Sequence, residues 1–219
     1  MLPYPRADER IAMVERQIAA RGIHDQHVLA AMREIPRHLF IPPPYDQAAY
    51  KDNPLPIGNG QTISQPYIVA LMTELLHPKA TDNILEIGTG SGYQAAILSR
   101  LVRRLTTIER IGTVADLARR NLMSVGIDNV MVVEGDGTLG YPDNAPYYGI
   151  IITAATPGIP RPLIGQLAEG GTIVAPVGER DIQDLITLHK TGGACVQESH
   201  GGVRFVPLIG KHGWEDTNS

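Results

Sequence analysis

The chain lacks the residue patterns that mark secreted, membrane and metal-binding proteins. Its single cysteine, Cys195, cannot form a disulfide within the chain, and its seven histidines show no spacing typical of metal ligands. No stretch reaches the roughly 18 uninterrupted apolar residues of a membrane span, and the first ten residues, MLPYPRADER, contain no apolar segment typical of a signal peptide. We therefore expect a cytoplasmic protein with no metal and no membrane partner.

Concentrated positive charge is also missing. The 19 lysines and arginines are scattered along the chain and are outnumbered by 23 acidic residues, which gives a net charge of −4 and a pI near 6.0. A nucleic-acid backbone is normally bound by a basic patch, so no nucleic-acid partner is expected. Nothing in the composition indicates an oligomer, and a monomer is the default expectation.

The pattern of apolar residues predicts an α/β fold. A length of 219 residues with 43% apolar residues suits one domain with a sizeable core. Strands and helices alternate from about residue 66, which indicates a doubly wound, Rossmann-like parallel sheet. Strands are expected at 83–87, 105–109, 130–134, 149–153 and 172–177, and helices at 66–76, 91–102, 113–124 and 160–168.

Both ends of the chain are expected to extend this sheet. We expect Asp8 to cap a first helix that ends at Gly22, and Asp25 to cap a second one. A proline-rich loop follows at 41–60, and loops of that length in compact domains are usually functional. Two further strands, at 184–190 and 203–208, should form an antiparallel edge, and Cys195 is expected to be buried in a strand.

A glycine-rich turn follows the first core strand in the segment ILEIGTGSGYQAA. Its glycines are Gly88, Gly90 and Gly92, and Tyr93 stands where a dinucleotide-binding turn would have its third glycine. The spacing therefore fits a nicotinamide cofactor poorly. A glycine turn between a strand and a helix still lets backbone N–H groups approach a ligand, such as a phosphate, a carboxylate or an amino-acid group.

Acidic residues at the ends of the next two strands favour an adenosine ligand. Glu109 lies 109 − 92 = 17 residues past the last glycine, where an acid can accept hydrogen bonds from a ribose diol. Asp136 can accept from an exocyclic amine, and the Gly137 backbone N–H can reach a ring nitrogen. Each has a structural alternative: Glu109 as a helix cap, Asp136 and Gly137 as a turn, and Glu86 in the first strand as a buried acid.

The glycine turn resembles the first motif of class I S-adenosylmethionine-dependent methyltransferases. Three further stretches resemble one family among them, the protein-L-isoaspartate O-methyltransferases. These are LPIGNGQTISQPYIVALMTELL at 55–76, IIITAATPGIPRPLIGQLAEGGTIVAPVG at 150–178 and VRFVPLIGKHGW at 203–214. The resemblance implies a protein repair enzyme that methylates the free α-carboxylate of L-isoaspartyl residues in damaged proteins and peptides.

The resemblance also implies roles for individual residues and for parts of the chain. One domain would span 1–219, with 1–60 as a helical extension and substrate-side loop and 61–219 as the cofactor-binding core. Ser64 matches the serine at the family's active centre, and Ile57 and Val206 fall in segments that contact the substrate backbone. The implied residues for S-adenosylmethionine are Gln61, Thr62, Gly88, Thr89, Gly90, Gly92, Glu109, Asp136 and Gly137.

Two positions depart from the family pattern. The family usually has tryptophan after the GDG sequence and aspartate before the fourth strand, where this chain has Thr138 and Tyr148. Neither residue belongs to the proposed reacting centre. The first departure, Thr138, affects the packing expected near the adenine.

The proposed chemistry needs no general base, because a carboxylate with a pKa near 4 is already ionised at neutral pH. Ser64 would then orient a reacting group, although a serine just before Pro66 can also cap a helix. Three other functions remain open: a methyltransferase for a small molecule or RNA, a nicotinamide oxidoreductase, and a non-catalytic S-adenosylmethionine-binding module. Cofactor titration and methyl transfer to an isoaspartyl peptide distinguish them.

Overall fold

Short apolar strands assemble into one twisted sheet at the centre of the structure, a computed structural model that describes residues 4–43 and 45–216. The strands are β1 (Leu55–Gly58), β2 (Gln61–Ile63), β3 (Asn83–Ile87), β4 (Arg104–Glu109), β5 (Val130–Glu134), β6 (Tyr147–Ile152), β7 (Leu167–Gly178), β8 (Gln183–Thr191) and β9 (Ala194–Val203). The central sheet has the order β5-β4-β3-β6-β7-β8-β9, while β1 and β2 pair separately. The pairs from β5 across to β7 are parallel, and β8 and β9 add an antiparallel edge.

The sheet order creates a crevice beside β3. From β3 the chain moves outward to β4 and β5, and it then returns to place β6 on the other side of β3. The connections after β3 and β6 therefore diverge at adjacent carboxyl ends, which is where open α/β sheets bind ligands. Ile84, Leu85 and Ile87 of β3 are fully buried, as a parallel strand covered on both faces requires.

Helices cover both faces of the sheet. They are α1 (Ala7–Met13), α2 (Gln26–Glu34), α3 (Pro66–Leu76), α4 (Tyr93–Ser99), α5 (Gly112–Ser124) and α6 (Arg161–Gln166). A π-helical turn at Val14–Ile18 and a 3-10 turn at Ala19–Arg21 continue α1. Buried residues of this N-terminal region, including Met13 and Ile18, share one hydrophobic cluster with α3 and α4. Among the described residues, no helix is long and apolar enough to cross a membrane.

Several predicted elements are confirmed to the residue. The helix at 66–76 and the strands at 83–87 and 130–134 begin and end where the sequence pattern indicates. Asp25 caps α2 as expected, since its carboxylate accepts hydrogen bonds from the backbone N–H groups of His27 and Val28. The antiparallel edge is also present.

Other predictions near the chain ends are wrong. The last strand is β9, and residues 203–208 instead cross the end of β6, where Ala155 N donates to Val206 O at 2.8 Å and Leu208 N donates to Ala155 O at 2.7 Å. Cys195 lies in a strand but is exposed, because β9 forms the edge of the sheet. Arg6 occupies the N-cap position of α1, so Asp8 lies in the first turn instead of capping the helix.

The segment expected to be a loop at 41–60 contains a strand that the analysis missed. Strand β1 pairs with β2 through a turn at Asn59 and Gly60, which both have positive φ values, 51° and 70°. An Asn-Gly pair between two short apolar segments is a strong hairpin signal. The hairpin directs Ser64, which follows β2, toward the carboxyl end of the central sheet.

Candidate active site

The glycine turn after β3 adopts a backbone that only glycine accommodates well. Gly88, Gly90 and Gly92 have φ values of 94°, 55° and 87°, in the region that side chains disfavour. A Cβ on Gly88 would lie 2.6 Å from Oγ1 of Thr153, while a Cβ on Gly90 would have only Cδ1 of Ile57 nearby, at 3.7 Å. The turn is therefore held tightly at Gly88 and leaves open space at Gly90.

Glu109 at the end of β4 fixes the far side of this turn. Its Oε2 accepts from Gly90 N at 3.0 Å and its Oε1 accepts from Ile111 N at 3.1 Å. The residue is 7% exposed. Each carboxylate oxygen can accept more than one hydrogen bond, so capacity remains for a ligand hydroxyl. The N-cap of α5 is Ile111 and no side chain caps that helix, so the helix-cap alternative for Glu109 is not observed.

A first cavity opens above this turn and encloses about 840 Å³, counting the part open to solvent. Of the predicted site residues, it is lined by Gln61, Thr62, Ser64, Gly88, Thr89, Gly90, Glu109, Gly137 and Val206.

Gly92 and Ile57 lie just outside this lining. Gly92 is the N-cap of α4. A Cβ on it would be 3.3 Å from Cγ of Leu122 and 3.5 Å from Cβ of Ala118, so the absence of a side chain allows the start of α4 to pack closely against α5. Ile57 is 5% exposed and packs beneath the turn near Gly90. The structure thus gives both residues a supporting position instead of a place on the cavity wall.

Asp136 also points away from the first cavity, toward the C-terminal segment. Its Oδ1 accepts from Thr138 N at 2.9 Å and from Thr138 Oγ1 at 2.7 Å, and its Oδ2 accepts from Lys211 N at 2.8 Å. Burial opposes ionisation, but these hydrogen bonds prevail and hold the pKa of Asp136 below its ordinary value. Only Gly137 of the pair reaches the cavity wall.

The two departures from the family pattern have clear positions. Thr138 is fully buried, donates to Asp136 and accepts from His212 N at 3.1 Å, so its hydroxyl ties the turn after β5 to the C-terminal segment. Tyr148 is 53% exposed on β6 and lines neither cavity. Thr138 therefore has a structural function here, and Tyr148 lies away from the site.

A chain of hydroxyl groups leads from the first cavity to a buried acid. Oγ1 of Thr89 lies 2.7 Å from Oγ1 of Thr107, which donates to Oε2 of Glu86 at 2.6 Å. Burial, with a smaller contribution from the charge of Glu109, raises the pKa of Glu86 to about 8. Glu86 Oε1 has no hydrogen-bond partner among the described residues. Glu86 is thus the buried acid that the sequence offered as an alternative, and it is protonated at neutral pH.

Ser64 stands between β2 and α3. The N-cap of α3 is Gln65, so the helix-cap alternative for Ser64 is not observed. Within residues 4–43 and 45–216, no group forms a hydrogen bond with the Ser64 hydroxyl. Ser64 lines the first cavity and also a second, larger one.

This second cavity encloses about 1260 Å³, counting the part open to solvent, on the outer side of Ser64. The 179–182 connection and the segment at 202–206 form part of its wall. Residues present in both linings, and therefore at the junction of the two cavities, are Thr62, Ser64, Thr153 and Val206.

The sequence analysis missed two groups of lining residues. Thr153 follows β6 directly, so its position at the carboxyl end of a predicted parallel strand is the signal that identifies it. Asp181 and Ile182 line the second cavity from a connection for which the sequence provides no ligand pattern. Arg204 and Phe205 also line it and lie in the stretch VRFVPLIGKHGW, in which only Val206 is predicted to be near the substrate. No group of three or more potential metal ligands occurs in the described part of the chain.

Comparison with known proteins extends over nearly the whole chain. Residues 8–213 match the profile of the family described as protein-L-isoaspartate(D-aspartate) O-methyltransferase. Proteins named protein-L-isoaspartate O-methyltransferase from Methanoregula boonei and Methanospirillum hungatei are 65% and 60% identical over 214 and 210 residues. These alignments cover 98% and 96% of this chain and 99% and 97% of the relatives.

Solved structures agree with this similarity. A structure named protein-L-isoaspartate O-methyltransferase superposes with a TM-score of 0.84 at 29% identity, covering 94% of this chain and 67% of that one. A Plasmodium falciparum protein solved in complex with S-adenosyl-L-homocysteine superposes with a TM-score of 0.80 at 23% identity, covering 91% of this chain and 98% of that one, and shows the shared fold.

Proposed function

The chain belongs to the protein-L-isoaspartate(D-aspartate) O-methyltransferase family, and we propose that its two connected cavities bind S-adenosylmethionine and an isoaspartyl peptide. The enzyme methylates the free α-carboxylate of L-isoaspartyl residues in damaged proteins and peptides. The observation that carries the assignment of the site is the junction of the two cavities at Ser64, which provides a passage for the methyl group.

The first cavity fits the cofactor. The turn leaves open space at Gly90, where a ligand can lie against the backbone, and Glu109 offers acceptors to the ribose hydroxyls. Gly137 presents backbone to the adenine region, while Asp136 supports it from behind through the adjoining turn. Gln61 and Thr62 line the side nearest the β1–β2 hairpin.

The bound cofactor supplies the methyl group: a carboxylate oxygen forms the new C–O bond while the C–S bond breaks and its electrons remain on sulfur. The protein's contribution is to position the substrate and to exclude water. A free hydroxyl on Ser64 can donate a hydrogen bond to the carboxylate and hold it in line. No side chain needs to remove a proton, because the carboxylate is ionised.

The substrate side discriminates by geometry. In an isoaspartyl linkage the main chain runs through the side-chain carbonyl, so the free carboxylate lies one methylene closer to the backbone than in an aspartyl residue. The side chain of Ile57 packs beneath the turn, but the backbone of β1 at this residue is extended and can align a peptide together with the segment around Val206, which lines both cavities. An aligned backbone then presents the shorter carboxylate, while an aspartyl carboxylate is displaced by about 1 Å, which is enough to cost about 100-fold in rate.

The test combines binding and transfer. Calorimetry should show binding of S-adenosylmethionine and not of NAD, and radiolabelled methyl should pass to an isoaspartyl peptide. Cofactor binding with methylation only of a small molecule or RNA would support that alternative class of methyltransferase. Cofactor binding with no transfer to any acceptor would identify a non-catalytic module and refute the proposal.

The organisation of the enzyme follows from the same assignment. We place it in the cytoplasm as a monomer of one domain, with residues 1–60 on the substrate side and 61–219 as the cofactor-binding core. A single cysteine suits a reducing compartment, and the shared hydrophobic cluster of the N-terminal region with α3 and α4 supports one folding unit. Cell fractionation and light scattering of the purified protein test the location and the monomer.

A further inference from the structure

Three hydroxyl groups lie at the junction of the cavities, on Thr62, Ser64 and Thr153. Thr62 is exposed, whereas the other two are half-buried and differ in their hydrogen bonding. Ser64 and Thr153 line both cavities. A methyl group that passes from the cofactor to the peptide must cross this junction. The hydrogen bonds that each hydroxyl already makes determine what it can offer to a ligand.

The Thr153 hydroxyl has its only proton committed to the protein. Oγ1 donates to Gly88 O at 2.5 Å and lies 3.0 Å from Ile87 O, so the proton is shared between two carbonyl groups. The backbone N–H of Thr153 donates to Ile87 O at 2.9 Å, which fixes the residue against the glycine turn. The hydroxyl oxygen therefore faces a ligand as an acceptor only.

We propose that Oγ1 of Thr153 is the acceptor for the positively charged methyl group of S-adenosylmethionine, while the free hydroxyl of Ser64 donates to the substrate carboxylate. This inference rests on the proposed function. An oxygen with no proton to give attracts the C–H groups of a sulfonium methyl and disfavours a carboxylate. The carboxylate is thereby directed to Ser64, and the two hydroxyls set the direction of transfer.

Affinities for the charged cofactor and for its uncharged product separate this role from a purely structural one. Calorimetry measures the Kd of S-adenosylmethionine and of S-adenosylhomocysteine for wild type, Thr153→Ala and Thr153→Ser. The alanine variant loses the clamp on Gly88, which weakens both ligands. We expect an additional loss of about two- to fivefold for S-adenosylmethionine alone, the size of one weak C–H···O contact, and recovery in the serine variant.

Thr156→Ala is the matched control. Thr156 lies close to the end of β6 and, like Thr153, donates to a carbonyl, Gly158 O at 2.6 Å. It is buried, whereas Thr153 is half-buried, and it lines neither cavity. Its replacement should leave the ratio of the two Kd values unchanged. The wild type provides a second measurement that needs no variant: the methyl protons of [methyl-13C]S-adenosylmethionine should shift downfield on binding, as expected for C–H groups next to an oxygen acceptor.

Equal weakening of both ligands in Thr153→Ala would overturn the proposal and leave Thr153 as a clamp of the glycine turn. The absence of a downfield shift in wild type would overturn it as well, even if the alanine variant failed to fold. A wild-type protein that bound neither ligand would instead refute the cofactor assignment under the proposed function.

Discussion

Replacing Glu86 with glutamine should remove the loss of folding stability that this buried carboxyl in β3 causes as the pH rises. Glu86 is fully buried, one of its oxygens has only the Thr107 hydroxyl as a partner, and its pKa is raised from 4.5 to about 8, chiefly by burial. The unfolded chain ionises this carboxyl near pH 4.5, whereas the folded protein keeps it protonated to about pH 8. The protonated Glu86 carboxyl therefore makes its full contribution to folding stability below pH 4.5. This contribution decreases as the pH rises above 4.5 and is lost once the pH has passed through 8.

The size of the effect follows from the pKa difference. Each pH unit between the two pKa values costs about 1.4 kcal/mol, so at pH 7 the cost is (7 − 4.5) × 1.4, or about 3.5 kcal/mol. Glutamine keeps the shape and the hydrogen-bond acceptor for Thr107 but does not titrate. Between pH 5 and pH 8 the stability of Glu86→Gln relative to wild type should therefore rise by about 3.5 kcal/mol, because the slope is shallower close to each pKa.

Urea denaturation of both proteins at pH 5, 6, 7 and 8 measures this difference, and the subtraction cancels groups that the two proteins share. Glu198→Gln, on the exposed face of β9, serves as the control and should run parallel to wild type. A stability difference between wild type and Glu86→Gln that stays constant from pH 5 to pH 8 would show that Glu86 is ionised in the folded protein.

Three further variants test the site. Gly90→Val should abolish cofactor binding because the side chain fills open space beside the turn, and the strain of valine at a φ of 55° should lower the Tm while the protein still folds; unchanged affinity by calorimetry would remove the turn from the site. Glu109→Ala should weaken S-adenosylmethionine binding by roughly 1.5–3 kcal/mol. A 2′,3′-dideoxy analogue has no ribose hydroxyls to donate to Glu109, so its affinity should fall less, through the lost hydrogen bond between Gly90 and Glu109 alone. If the analogue loses as much, Glu109 does not bind the ribose. Ser64→Ala should lower kcat more than cofactor affinity, and normal turnover with only a lower Tm would contradict an orienting role.

The sequence predicts the sheet well because its signals are local. Strand β3 is a short apolar segment that follows a turn at 77–82 and is followed by glycines, and α3 begins at Pro66, which favours the first helical turn. The glycine turn and Glu109 are predictable for the same reason, because each lies at the carboxyl end of a predicted strand. The Asn-Gly signal for the β1–β2 hairpin was also present, but the surrounding prolines favoured a loop.

The remaining features depend on tertiary contacts that no local pattern reports. The sequence shows Asp136 at a strand end, but it does not show that Thr138 and the distant Lys211 backbone donate to its carboxylate and fix its orientation. Residues 203–208 have the apolar character of a strand, but they cross the end of β6 because the sheet already ends at β9. The acceptor-only state of Thr153 arises from its contact with Gly88, 65 residues earlier in the chain.

The most direct test of the central claim is a competition between two peptides in one reaction. Equal amounts of a peptide containing L-isoaspartate and its normal L-aspartyl isomer are incubated with enzyme and S-adenosylmethionine, and mass spectrometry after chromatography follows both. The account predicts methylation of the isoaspartyl peptide at least about 100-fold faster, followed by spontaneous collapse of the ester to a succinimide. Comparable rates for the two isomers would contradict the repair function, even for a protein that binds and uses the cofactor.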